Sequence, residues 1–205
     1  DIWRVQGAFF RLNYDYRSKY LLEVNGRYDG SSKYAKHDRW AFFPSASVGW
    51  RISEEKFFKS LSKVVDNLKI RASIGALGNQ ITDGNHSFMS IISGKVLTNY
   101  MMDGKIVNGL NIPTLPSMVT WEKVITKDIG LDWSLFKNRL FGSFDFYVRD
   151  TKDMVRSVTL PAVLGTSGGK ENIADMRTVG WELEMTWKDR IQNVLGSPLD
   201  YSLTV

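Results

Sequence analysis

The chain has no cysteine. That removes disulfide staples, thiolate metal ligands and thiol nucleophiles together. Histidine is nearly as scarce: His37 and His86 stand far apart, so no close pair offers a zinc site. No run of about 20 apolar residues exists, which excludes membrane-spanning helices. The 27 basic residues outnumber the 22 acidic ones but are spread along the chain, so no nucleic-acid partner is expected. No G-x-S-x-G elbow occurs. "LGTSGGKE" fails the phosphate-loop spacing, because Leu164 stands where the first glycine belongs and Glu171 follows the lysine. These absences leave no catalytic residue, metal site or cofactor to nominate, and the chain reads as a non-enzyme. "DIWRVQGAFF" lacks the basic and apolar blocks of a secretory leader, while the tail "LDYSLTV" alternates to its last residue. The expectation is an internal piece of a longer protein.

What is present is alternation. In "NLKIRASIGALGN", Leu68, Ile70, Ala72, Ile74 and Ala76 alternate with Lys69, Arg71, Ser73 and Gly75. Period two means a strand with two unlike faces. Eight segments read this way. The first sets Ala8, Phe10, Leu12, Tyr14 and Tyr16 against Arg11, Asn13 and Asp15, and the second Tyr20, Leu22, Val24 and Tyr28 against Glu23, Asn25, Arg27 and Asp29. The third is Ala46, Val48, Trp50 and Ile52; the fourth is the stretch quoted above. The fifth sets Ile129, Leu131, Trp133 and Leu135 against Asp128, Asp132 and Ser134. The sixth sets Leu140, Phe144, Phe146 and Val148 against Ser143, Asp145 and Arg149. The seventh sets Val179, Trp181, Leu183, Met185 and Trp187 against Glu182, Glu184 and Thr186, and the eighth is Leu199, Tyr201, Leu203 and Val205.

Mean hydropathy is -0.23, but averaging cannot see an alternating membrane strand. Many segments run about 9–11 residues, the length of a tilted transmembrane strand, against about 5–6 for a globular one. Short links ("RS", "SEEKFFKSLSKVVD", "KN") alternate with long ones near 30–44, 80–125 and 150–177. Up-and-down membrane barrels have this asymmetry. In the compact second link, Ser53 is expected to cap a short helix with Phe57, Phe58 and Leu61 on one side. The 80–125 link, with apolar pieces around Gly94 and Asp103-Gly104, is expected to hold one or two hairpins. Tyr14, Tyr16, Tyr20, Tyr28, Trp50, Trp133 and Trp187 lie towards strand ends, as an interfacial girdle requires. The fold class read from these patterns is all-β: an antiparallel, up-and-down transmembrane β-barrel segment of at least eight strands.

The segments "FRLNYDYRSKYLLEVNGRYDGSSKY", "DRWAFFPSASVGWRISEEKFF", "LKIRASIGALGN", "WEKVITKDIGLDWSLFKNRLFGSFDFYVRDTKDM" and "NIADMRTVGWELEMTW" resemble, in order and spacing, the SusC/RagA-type TonB-linked outer-membrane transporters. The likeness covers almost the whole chain. It departs at Tyr34, where the family often has Phe, and at Ala41-Phe42. It implies a piece from the C-terminal half of a plugged barrel of about 22 strands, in the bacterial outer membrane. That barrel would import nutrients such as oligosaccharides or peptides. Implied partners are outer-membrane lipid, a SusD-like surface lipoprotein capping the outside, and the TonB complex through parts absent here. Residues 1–205 would be one partial barrel domain, without plug or signal peptide.

Phe10, Leu12, Leu22, Val24, Val48, Trp50, Ile70, Ile74, Leu131, Trp133, Phe144, Phe146, Trp181 and Leu183 are therefore expected to face lipid. Substrate-contact candidates are Arg27, Asp29, Tyr34, Trp40 and Trp121. The plainer reading of Asp29 is a turn at a loop exit, and of Trp40, with Phe42 and Phe43, the outer girdle or the packing of a loop base. The mixed charges of the opposite face, Arg11, Asp15, Arg51, Arg71, Asp128, Asp132, Asp145, Glu182 and Glu184 among them, suit pairing between neighbouring strands. "NHS" at Asn85 fits a glycosylation sequon that a bacterial surface leaves idle. The alternative is a soluble β-sandwich carbohydrate-binding module with Trp40 or Trp121 as stacking platform. In that case the apolar faces of two sheets must meet.

Overall fold

The computed structural model describes residues 2–80, 96–110, 119–161, 163, 168–194 and 197–205. Its strands are β1 (Val5–Tyr16), β2 (Tyr20–Ser31), β3 (Trp40–Arg51), β4 (Val65–Asn79), β5 (Val96–Met102), β6 (Lys105–Leu110), β7 (Glu122–Leu135), β8 (Leu140–Ser157), β9 (Lys170–Val194) and β10 (Ser197–Thr204). Eight of them form one sheet in the order β1-β2-β3-β4-β7-β8-β9-β10. Every pairing is antiparallel, and each strand lies beside its neighbour in the chain apart from the interposed β5–β6 hairpin. This is the expected up-and-down meander. Among the described residues β1 pairs with β2 alone and β10 with β9 alone, and no α-helix occurs.

The register aligns the alternating residues into two continuous faces. One row of the apolar face runs Tyr16, Tyr20, Trp50, Ile70, Leu131, Phe144 and Leu183. The next runs Tyr14, Leu22, Val48, Ala72, Ile129, Phe146 and Trp181. A slip of one residue on any strand would turn its greasy side over. Among the described residues no second layer covers this face: Leu12 is 62% exposed, Ile129 61% and Trp181 66%. Among the described residues, buried apolar side chains are confined to Tyr34, Phe43, Phe58, Val119 and Trp121. The sandwich alternative requires these rows to be packed away from water, and they are not.

Turn chemistry matches the meander. Arg17 and Ser18 adopt φ of 55° and 56°, the left-handed pair of a type I′ hairpin, and Asp15 Oδ1 accepts the Ser18 N–H at 2.7 Å. Asp103 (φ 50°) and Gly104 (φ 70°) make the same turn in the β5–β6 hairpin, at the Asp-Gly pair singled out above.

Three expectations need correction. Ser53 caps nothing. It lies inside a 3-10 turn, Ile52–Glu54, and its hydroxyl sits 3.2 Å from Asn67 Oδ1. In the following turn, Lys56–Ser60, Phe58 is buried while Phe57 and Leu61 are exposed, so the three do not share a side. The paired backbone also runs further than alternation suggests. β3 starts at Trp40, β8 continues to Ser157 and β9 begins at Lys170, which shortens the links to 32–39 and 158–169. Asn85, His86, Gly94 and Leu164 lie outside the described residues.

Candidate functional site on the polar face

The links 32–39, 80–121 and 158–169 all leave one end of the sheet, the long-link end after 80–121, and the links 17–19, 52–64 and 136–139 leave the other, although 52–64 is longer than 32–39 and 158–169. Side chains of the polar face therefore occupy defined levels between a long-link end and a short-turn end.

Nearest the short turns the face is charged. Arg71 of β4 donates from Nε to Asp132 Oδ1 (3.1 Å), from Nη1 to Asp128 Oδ1 (3.4 Å) and from Nη2 to Asp145 Oδ2 (2.7 Å). Lys69 Nζ adds a 3.6 Å pair with Asp132. One guanidinium thus joins β4, β7 and β8. Gly130 stands between Arg71 and Asp145 in the register. A Cβ there would approach Arg71 Cζ to 2.5 Å, so only glycine leaves room for the reach. The pairing expected of this face is present, but Arg71 is shared by three acids, and only Asp132 has a second cation, Lys69. Beside the network lies a shallow cavity of about 530 Å³, whose polar lining includes Asp15, Glu23, Ser47, Lys69, Arg71 and Asp128. Arg71 occupies the middle of the aspartates, and among the described residues no cluster of three metal-ligating side chains occurs.

At the long-link end the predicted contact residues separate into three places. Arg27 and Asp29 are together on the polar face, with Arg27 Nε 2.5 Å from Asp29 Oδ2. Trp40 is on the other face, stacked on Tyr28 at 5.1 Å and 11°. Tyr34 and Trp121 are buried at 0% and 2% exposure, ring centroids 5.2 Å apart, and Phe43 meets Trp121 edge-on at 5.5 Å. Trp121 Nε1 donates to the Arg39 carbonyl (3.1 Å), fastening the 32–39 link to the start of β7. Neighbouring polar groups continue this fastening. Glu122, 3% exposed, accepts from Val155 N–H (2.8 Å) and from Asn79 Nδ2 (3.2 Å). Val155 sits at a register shift in the β8–β9 ladder, so Glu122 satisfies an amide that a strand partner does not. Asn172 accepts from Thr120 N–H (2.8 Å) and donates back to the Thr120 carbonyl (3.1 Å).

Outside the sheet, Glu55 in the 52–64 link accepts from Tyr20 Oη (2.8 Å), Lys19 Nζ (3.2 Å) and Trp50 Nε1 (3.4 Å). Hydrogen bonds from Tyr20 first, then Lys19, hold its carboxyl below the ordinary range.

The residues expected to face lipid all share the apolar face. The reading missed Glu122, Asn172 and Phe9. For Phe9 a signal existed: "AFFRLN" puts two aromatics in succession, so one must point to the polar side.

A family model described as TonB-dependent receptor-like, beta-barrel, matches residues 3–204. "TonB-dependent receptor P26" of Formosa agariphila is 33% identical over 183 residues, 89% of this chain and 18% of that protein. "TonB-dependent receptor SusC" of Bacteroides thetaiotaomicron is 30% identical over 96% of this chain and 20% of its own length. Among solved structures, the RagAB peptide importer in its "open-open" state superposes with a TM-score of 0.76 at 26% identity, covering 98% of this chain and 22% of that one. The chain thus spans about a fifth of the length of the relatives it matches.

Proposed function

The chain belongs to the TonB-dependent receptor-like β-barrel family, and from that membership we propose that it forms part of the wall of a nutrient importer in the bacterial outer membrane. Members of this family are receptors and transporters rather than enzymes. The observation that carries the reading is the uncovered apolar face.

Its height fits a bilayer. On β9 the outward residues from Val179 to Trp187 are apolar, bounded by Arg177 at one end and Asp189 at the other. That is about nine residues, the span of a tilted transmembrane strand. At about 3.4 Å per residue and a tilt of about 40° they cover roughly 23 Å, close to the apolar band of about 25 Å on outer-membrane barrels. Aromatics edge the band: Tyr16, Tyr20 and Trp50 towards the short turns, Tyr28 and Trp40 towards the long links. Lys127 enters the band one row inside its upper limit, near enough for its ammonium to reach the headgroups. Lipid cannot satisfy backbone amides, so every strand must be paired within a closed ring. Residues 1–205 contribute one arc of that ring as a partial barrel domain, and the remaining strands come from the rest of a longer chain.

The long links face outwards from the cell and the polar face lines the lumen. The cargo is an oligosaccharide, a peptide or a similar nutrient, a range supported by relatives named SusC and the RagAB peptide importer. A SusD-type lipoprotein covers the long-link end, and TonB drives uptake through parts of the protein other than this arc. The test is fractionation of the full-length protein that carries this chain. It is expected in the outer membrane and in need of detergent; a monodisperse protein in plain buffer would overturn the reading.

A further inference from the structure

The polar face is stratified, and one level of it is not polar. Just below the long links the register places Phe9 opposite Arg27 and Arg27 opposite Phe43. A separate row from β4 to β9 holds Leu77, Val124, Thr151 and Met176, divided from Phe9 and Arg27 by Phe43, which is buried against Trp121. Phe9 is 83% exposed, Leu77 64% and Met176 50%. A wall facing only water has no use for such side chains.

The level also carries a prepared cation. Asp29, 7% exposed, takes the Nε of Arg27, which fixes the guanidinium plane. Arg27 has no other partner among the described residues. The next level towards the short turns adds Arg149 and Arg11, the latter donating to Asn25 (2.8 Å) and lying 3.7 Å from Glu23 one level further on. Arg149 lies 5.6 Å over the Tyr147 ring and has no acidic partner among the described residues. Apart from Asp29 at the Arg27 guanidinium and the enclosed Glu122, the acids of this face lie nearer the short turns, where Arg71 gathers three of them.

We propose that this level is a ligand-contact surface for an amphipathic carboxylate, with the apolar portion on Phe9 and the carboxylate on the free edge of Arg27. A guanidinium held by its Nε presents its terminal nitrogens as a fork that matches a carboxylate. The inference rests on the importer reading and narrows it to acidic, partly apolar cargo of peptide type.

The test is equilibrium binding to the full-length protein in detergent, with N-acetylated trileucine carrying a free carboxylate, its C-terminal amide, and a neutral maltooligosaccharide as probes. The acid should bind about tenfold more tightly than the amide, the usual size of one charge-assisted hydrogen-bond pair. Arg27→Gln should erase that difference and leave the amide unchanged; Phe9→Ala should weaken both. Equal binding of acid and amide, binding of neither, or capture of the maltooligosaccharide alone overturns the proposal. So does a Phe9→Cys thiol that a water-soluble maleimide cannot reach, because the level is then covered by protein. A protein that needs detergent and resides in the outer membrane, yet shows one of those results, refutes the ligand class and leaves the importer standing. A protein stable in plain buffer refutes both.

Discussion

Arg71 and Asp145 meet across a strand that belongs to neither of them. The guanidinium leaves β4, crosses β7 above Gly130 and ends 2.7 Å from the carboxylate on β8. Three strands are thereby tied at one height, on top of their backbone ladders.

Gly130→Ala should break that tie. The added Cβ would lie 2.5 Å from Arg71 Cζ and 2.6 Å from Asp145 Oδ1, so the guanidinium must withdraw. The expected loss is about 1–3 kcal/mol, read as a lower thermal midpoint of the full-length protein in detergent. In an Arg71→Leu, Asp145→Leu background the same alanine should cost much less. An equal drop in both backgrounds would show that Gly130 matters for another reason.

Depth should decide the effect of a charge on the apolar face. Leu183 stands midway between Val179 and Trp187 on β9, and Leu183→Arg should destabilise insertion by about 2–4 kcal/mol. Trp187→Arg, at the edge of the band, should lose only about 0–1 kcal/mol in excess of the lost ring packing. Urea-induced unfolding from lipid vesicles measures both. Equal penalties at the two positions would argue against a bilayer around this face.

Acid should loosen the link that follows β3. Because Tyr20 and Lys19 hold the Glu55 carboxyl below its ordinary value of 4.5, the folded state binds its proton less readily than the unfolded one. The stabilisation is therefore complete above about pH 4.5 and fades as pH falls through the lower folded value. Limited proteolysis within 52–64 should accelerate on acidification. Glu55→Gln should cleave readily at neutral pH and lose that pH dependence; an unchanged pH profile would discount the carboxylate.

At the opposite end, Glu122→Ala leaves the Val155 amide and the Asn79 side chain without their acceptor. The expected cost is about 1–3 kcal/mol, felt locally as faster hydrogen exchange at Val155 and its neighbours. Trp121→Ala removes the ring on which Tyr34 and Phe43 rest, with a larger loss of about 3–5 kcal/mol and new cleavage in 32–39. Exchange at Val155 that does not respond to Glu122→Ala would detach that carboxylate from the β8 register shift.

Alternation made the sheet legible because each strand has unlike faces: Ile70 and Arg71 cannot both point the same way. Strand order followed from link lengths. What alternation could not reveal depends on register between strands. Asp128, Asp132 and Asp145 become partners of one arginine only when β4, β7 and β8 align. Trp121 becomes buried only when 32–39 and β7 meet, although the two are remote in the chain. Trp40 and Phe42 were obscured by their neighbours Arg39 and Phe43, which blur the start of β3. Leu77 was hidden in the same way beside Ala76, where two apolar residues in succession conceal the one that turns inward.

The bare rims at β1 and β10 have a price of their own. Each exposes a ladder of amide donors and carbonyl acceptors that only another strand can fill. Produced by itself, this sheet is thus a zipper with two open halves and will join to its own copies unless other strands cover both rims first.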